Sequence, residues 1–199
     1  VVIGHVDPFA EEAGRGIKKL FQAGRHVHVG VLESECAELN KRFFCFHQKK
    51  RPYIILKWAQ TADGFIAPDH QNKGEIFWIS NAYAKQMVHQ WRTQEAAILV
   101  GTATALKDNP QLSARHWHGK QPTRLVINRD LQLPETLHLF DQSQPTFVFH
   151  DLSLNKVSQK NLSYIPIDFA KNVINQILKQ LYQENLQSVI IEGGQNTLQ

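Results

Sequence analysis

Residues 96–115 read AAILVGTATALKDNPQLSAR. The apolar run Ala96–Val100 is short and stops on Gly101, which predicts a strand buried on both faces. Gly101 is expected to turn the backbone sharply and to let a ligand come close. Thr102 stands where it would cap a short helical turn, Thr104 adds a second hydroxyl, and Asp108-Asn109-Pro110 closes the turn. Ligands of open α/β sheets lie beyond the carboxyl ends of the strands. Hydroxyls and backbone N–H groups at such a turn suit a phosphate or a carboxamide, and the planar guanidinium of Arg115 suits a phosphate. The plainer alternatives stay open: Asp108 as an Asx-turn before the proline, and Arg115 as a surface cation.

The pattern repeats outward from this stretch. TRLVIN (123–128), PTFVFH (145–150) and SVIIEGG (188–194) read as further strands. Residues 170–184 carry Ile174, Ile177, Leu178 and Leu181 at helical spacing. Upstream, Ser80 is a candidate N-cap for a helix over 80–95. Ala84, Met87, Val88 and Trp91 form its expected buried face, and Arg92 near its end could reach the same site. YIILKWA (53–59) reads as a strand buried on both faces, interrupted by Lys57. Strands alternating with helices predict an α/β domain around a central, mostly parallel sheet.

Residues 1–46 form a separate βαβα piece, small for an independent domain. VVIG (1–4) reads as a short buried strand and residues 14–24 as a helix stopped by Gly24. HVHVGVL alternates so that Val27, Val29 and Val31 share a face. ESECAELNKRFFCF reads as one helix with Leu39 and Phe43 on one side. Pro52 and the basic HQKKR before it mark 47–51 as a linker, and 52–199 as the second unit. The chain opens on Val1 and ends just after a glycine pair, so it is expected to be a piece of something longer.

Composition excludes several classes. With 42% hydrophobic and 20% charged residues, the chain reads as globular, and no apolar run approaches the ~20 residues of a membrane helix. A net charge of +4 favours anionic ligands, but no basic stripe or nucleic-acid motif is present. Lys49-Lys50-Arg51 reads as a solvated connector. Cys36 and Cys45 match neither a zinc nor a redox spacing, and are expected to be buried, reduced thiols of a cytoplasmic protein. The ten histidines form no ligand pattern, so no metal site is expected.

Two more strand ends carry polar groups. A lysine within an apolar strand either snorkels to the end or takes a partner; Lys57 lies six residues before Asp63-Gly64. Glu192 ends an apolar strand, and Gly193-Gly194 permits close backbone approach, although it lacks the dinucleotide G-x-G-x-x-G pattern. Three strand ends with one habit are what a pocket requires.

KWAQTADGFIA, WISN, WRTQEAAILVGTATALKDNPQLSAR, PTRLVIN and VIIEGG, in this order, resemble the reductase domain of the bifunctional riboflavin-biosynthesis deaminase/reductase family. Residues 1–46 resemble the tail of its deaminase domain, which is cytidine-deaminase-like. The resemblance implies a dihydrofolate-reductase-like fold over 52–199. It implies NADPH-dependent reduction of the ribosyl group of 5-amino-6-(5-phosphoribosylamino)uracil to a ribityl chain. A related reductase of another pyrimidine or pterin, or a catalytically silent binding or interface module, are the alternatives.

Carried over by position, the resemblance implies Lys57, Asp108 and Glu192 as polar active-site residues. Gln60, Trp78, Thr104, Asp108, Arg129, Gly194, Gln195, Asn196 and Thr197 are implied cofactor contacts, with Arg129 near the adenosine 2′-phosphate. Arg92, Leu112, Arg115 and Glu192 are implied substrate contacts. Ile76 stands where the family often has a substrate-touching serine. Zinc belongs to the family's deaminase segments, which this sequence lacks, so deamination is not expected. A phosphorylated pyrimidine substrate, no nucleic acid, no membrane and a homo-oligomeric full-length protein complete the implied picture.

Overall fold

The computed structural model describes residues 1–9, 11–66, 79–193 and 197. In chain order the elements are β1 (Val2–Ile3), α1 (Arg15–Gln22), β2 (His28–Val29), α2 (Glu33–Leu39), α3 (Lys41–Lys49), β3 (Tyr53–Lys57), α4 (Ala82–Gln94) and β4 (Ala97–Val100). There follow α5 (Thr102–Asp108), β5 (Thr123–Ile127), a 3-10 turn (His138–Phe140), β6 (Thr146–Asp151), β7 (Leu162–Ile167), α6 (Val173–Gln183) and β8 (Ser188–Glu192).

Among the described residues, six strands form one sheet in the order β3-β8-β4-β5-β6-β7, and every pairing is parallel. The period-two alternation of the strands splits their side chains between two cores. Ile98, Val100, Val126, Val148 and Ile190 face one side, packed with Ala105, Leu112, Leu139 and Phe140. Ala97, Leu99, Leu125, Phe149, Val189 and Ile191 face the other, covered by Ile177, Leu178 and Leu181 of α6. Burying each such aliphatic side chain contributes roughly 1.5–3 kcal/mol. Arg124 on β5 is fully buried, with donors spent on Thr146 Oγ1, the carbonyls of His138 and Gln144, and Asp141 Oδ1.

Several sequence expectations change. β3 is an edge strand, so it is half-buried and Leu56 is exposed instead of being enclosed on both faces. β7 is unannounced by the sequence: Ser163 and Pro166 interrupt its apolar pattern, and Pro166 is tolerated because β7 is the other edge. The cap of α4 is Asn81, whose Oδ1 accepts from Ala84 N at 2.9 Å, not Ser80. Its buried residue is His89, while Met87 and Trp91 are exposed.

In the first segment, β1 pairs β2 in parallel, but Val1, Val2, Val29 and Val31 are exposed. The single helix expected over 33–46 is broken at Asn40 into α2 and α3, and Leu39 is exposed. α3 runs on through Lys49 into the expected linker and ends where Lys50 turns left-handed at φ 53°. Its Arg42 clamps the buried Glu95 carboxylate with both Nε and Nη2, and Phe46 packs on Tyr182 with ring centroids 4.6 Å apart. Cys45 is buried and Cys36 half-buried, and both thiols are free.

Candidate functional site

Lys57 and Glu192 are the last residues of neighbouring strands and stand directly opposite in the β3–β8 register. Each is two positions beyond a residue of the first core, Ile55 and Ile190, so alternation sends both side chains to that face. There Lys57 Nζ lies 3.9 Å from Glu192 Oε1. Arg92 of α4 reaches the same carboxylate, Nη2 donating to Oε2 at 2.9 Å, while Nη1 donates to the Ser113 carbonyl at 3.1 Å. One guanidinium thereby ties a helix, a loop and a strand end together. Among the described residues, Glu192 Oε1 and Arg92 Nε are buried without hydrogen-bond partners. Buried polar groups of this kind are rare and call for a ligand or water.

A cavity of about 300 Å³ opens beside this cluster, lined by Lys57, Ser80, Lys85, Val88, His89, Arg92, Asn109, Pro110, Gln111, Leu112, Arg115 and His138. Lys57, Lys85, Arg92 and Arg115 make it strongly cationic, with Glu192 as the neighbouring carboxylate. Arg115 is exposed and donates to Ser113 Oγ at 3.2 Å; burial of the group, then the Arg92 charge, lowers its pKa. Leu112, another lining residue, is fully buried at φ 52°, an uncommon conformation for a bulky side chain. The arrangement suits a phosphorylated ligand held by donors, with a lysine and a carboxylate at the reacting end.

The same sheet edge continues across β4 and β5. Gly101 adopts φ −84°, so it makes no unusual turn. Its role is space: a Cβ there would lie 2.4 Å from Thr197 Oγ1, and one on Gly193 would lie 2.6 Å from Thr197 Cβ. Thr102 begins α5 instead of capping it, and its hydroxyl donates to the Ile127 carbonyl at 2.5 Å. Arg129, just past β5, lies over the Phe169 ring at 5.6 Å and 3.8 Å from Asp130. These positions form a row at the carboxyl ends of β8, β4 and β5, beside the cavity. Thr197 thus packs closely against both glycines, and a side chain at either position would collide with it.

The structure brings together Lys57, Glu192, Arg92, Leu112 and Arg115. Thr104 and Asp108 are half-buried on α5 and are not among the residues lining the cavity. Asp108 ends that helix, with Asn109 at φ 40° as its C-cap, and burial raises its pKa against the pull of Lys107. Gln60 is exposed and accepts from Trp58 Nε1 at 2.9 Å. Asp63 is bound into a tight 61–65 loop by the Thr61 hydroxyl. Trp78, Gly194, Gln195 and Asn196, like Ile76, lie outside the described residues. Sequence reasoning missed His89, Lys85 and Ser113. The apolar stripe drawn on α4 hid the first two, since the face toward the cavity is polar. Among the described residues no cluster of His, Cys, Asp or Glu could hold a metal ion, and no helix is long and apolar enough to cross a membrane.

Residues 52–199 match the family described as the RibD C-terminal domain. The chain is 34% identical over 201 residues to the riboflavin biosynthesis protein RibD of Aquifex aeolicus (strain VF5), covering 100% of this chain and 56% of that protein. It is 37% identical over 203 residues to RibD of Actinobacillus pleuropneumoniae, covering 98% and 53%. Among solved structures it resembles the diaminohydroxyphosphoribosylaminopyrimidine deaminase/5-amino-6-(5-phosphoribosylamino)uracil reductase from Thermotoga maritima. That likeness has a TM-score of 0.86 at 33% identity and covers 99% of this chain and 54% of the other. The chain spans about half the length of the curated relatives it matches.

Proposed function

Since the chain belongs to the RibD C-terminal domain family, we propose that it reduces the ribosyl group of 5-amino-6-(5-phosphoribosylamino)uracil to the ribityl product, with NADPH as reductant. The observation that carries this reading is the Lys57–Glu192–Arg92 cluster opening on a cationic cavity at the carboxyl edge of a parallel sheet. By the same reading, residues 1–46 are the end of a deaminase domain joined through 47–51 to the reductase unit. The protein then works in the cytoplasm as a homo-oligomer.

NADPH, when bound, supplies the hydride. Thr197, packed against Gly101 and Gly193 at the ends of β4 and β8, would help hold it, and Arg129 would offer a cation to its 2′-phosphate. Arg115 and Lys85 hold the substrate phosphate, and Arg92 orients the polar end while fixing Glu192. These contacts place the reacting carbon, which is most of what such a transfer requires. When that carbon of the opened sugar is reduced, the π pair of its bond to oxygen or nitrogen passes to the heteroatom, which needs a proton. The Lys57 ammonium gives that proton, and Glu192 at 3.9 Å holds it in place.

The test is turnover of the ribosylaminouracil phosphate with NADPH, followed by nicotinamide absorbance and by mass of the product. A product two hydrogens heavier than substrate is expected. NADPH binding without turnover would leave a silent binding module, and turnover confined to another pyrimidine or pterin would leave a related reductase.

A further inference from the structure

The functional reading uses Lys57, Arg92 and Glu192 but not the contacts that align the elements carrying them. β3 and β8 are locked together position by position, from Tyr53 opposite Ser188 to Lys57 opposite Glu192. Arg92 comes from outside the sheet, in the last turn of α4. Glu95 is the C-cap of that helix, its N–H donating to the Trp91 carbonyl at 3.1 Å. The Glu95 side chain is 2% exposed, and both its oxygens accept from Arg42 of α3: Nε donates to Oε2 at 2.8 Å and Nη2 to Oε1. The next residue, Ala96, donates its N–H to Ser188 Oγ at 3.0 Å, at the start of β8. α3 also grips the start of β3. Lys41 Nζ and Arg42 Cζ lie 5.4 and 5.8 Å from the centre of the Tyr53 ring, and Cys45 Sγ donates to the Pro52 carbonyl at 3.6 Å. One helix thus holds both elements that deliver a cation to Glu192, β3 with Lys57 and α4 with Arg92.

We propose that Arg42 and Glu95 are positioning residues of the reductase site, and that α3, upstream of the matched segment 52–199, is the brace that sets Arg92 against Glu192. The inference rests on the reductase reading and deepens it. A carboxylate withdrawn from water needs its partner, so the end of α4 cannot leave Arg42 without stranding Glu95. Arg92 lies three residues before Glu95, one turn back along the chain. A shift of the clamp therefore moves the guanidinium that holds Glu192 and, through Glu192, the Lys57 ammonium. The two-point fork of Arg42 fixes angle as well as distance, which a single ammonium does not. Arg42 is not among the residues lining the cavity and acts through Arg92.

The test is steady-state kinetics, NADPH binding and urea unfolding of the full chain. The variants are Arg42→Met, Arg92→Met, the two combined, and Arg42→Met with Glu95→Gln. Arg42→Met should lower kcat for the ribosylaminouracil phosphate by about 10–100-fold, as a misplacement of about 1 Å at the reacting end does, with NADPH affinity retained. In the Arg92→Met background the same change should cost no further activity, because the group it positions is gone. Glu95→Gln removes the stranded charge, so Arg42→Met with Glu95→Gln should regain stability but not kcat. A wild-type kcat in Arg42→Met, losses that multiply when it is combined with Arg92→Met, or kcat regained together with stability would overturn the proposal and leave the clamp a purely structural pair. Should Arg42→Met fail to fold, Arg42→Lys, which keeps the charge but not the fork, replaces it in the same cycle. A wild-type kcat there overturns the proposal, and a loss that vanishes in the Arg92→Met background upholds it. Absence of turnover by the wild type is a separate outcome, which refutes the reductase reading and this inference with it.

Discussion

Arg92→Met in the ligand-free protein removes the guanidinium that joins α4 to Glu192. The two side chains are 11% and 13% exposed, so the pair is largely withdrawn from water. Removing one partner of a buried pair costs about 3–5 kcal/mol, because the other charge is left uncompensated. Two features reduce that figure here. Lys57 remains 3.9 Å from Glu192 Oε1, and the residual exposure admits some solvent. The Ser113 carbonyl also loses its Arg92 donor. We expect a loss of about 2–3 kcal/mol, or roughly 4–12 °C in Tm for a chain of this size. Adding Glu192→Gln removes the stranded charge and should restore at least half of the loss. Urea unfolding followed by tryptophan fluorescence gives both numbers. A cost below about 0.5 kcal/mol would be that of an exposed ion pair. That result, or single-variant costs that simply add in the double variant, would refute the view that this carboxylate is held by a buried clamp.

Lys57→Met should cut turnover by about 10²–10⁴-fold, the usual worth of a positioned proton donor, with NADPH affinity retained; near-normal turnover removes Lys57 from that role. Gly101→Ala should cost about 1–3 kcal/mol through overpacking against Thr197. Thr197→Ala should rescue it, because the remaining Cβ would lie 3.7 Å away, whereas Gly193→Ala, whose Cβ would meet Thr197 Cβ at 2.6 Å, should not be rescued; thermal melts of the four variants read this directly. Burial opposes ionisation of Asp141, but hydrogen bonds from Arg124 and Ser143 outweigh it and bring its pKa from 3.8 to about 2. The folded state therefore gains stability from this carboxylate above pH 3.8 and loses it as pH falls through about 2. Asp141→Asn should flatten the stability profile across that window in acid unfolding, and an unchanged slope would contradict the pairing.

What the sequence announced was the sheet's interior and the polar ends of two strands. β4 and β8 are continuous apolar runs because both faces are covered, and α6 shows its stripe because only one face is. Lys57 and Glu192 were legible as charges interrupting apolar runs, and the register then set them side by side. The local elements that failed did so where tertiary position overrides pattern. An edge strand need not alternate cleanly, so β7 with Ser163 and Pro166 gave no signal. A helix buries a polar face when that face lines a cavity, so α4 buries His89 and exposes Met87 and Trp91, the reverse of what its apolar spacing predicts. Asn40 breaks the α2–α3 helix and the HQK segment continues it, because docking of Arg42 on Glu95 and Phe46 on Tyr182 fixes α3, and neither contact is visible from local sequence. The sequence predicts a sharp turn at Gly101, whereas what the position demands is space, which only the approach of Thr197 reveals.

The central claim is that one sheet edge holds a dinucleotide beside a phosphorylated sugar. A crystal structure of the protein with NADP⁺ and the ribosylaminouracil phosphate tests it most directly. The account expects the dinucleotide along the ends of β8, β4 and β5, the sugar phosphate among Lys85, Arg92 and Arg115, and Lys57 within hydrogen-bond reach of the sugar's reacting heteroatom. Density for either ligand away from that edge, or Lys57 and Glu192 facing neither, would contradict it.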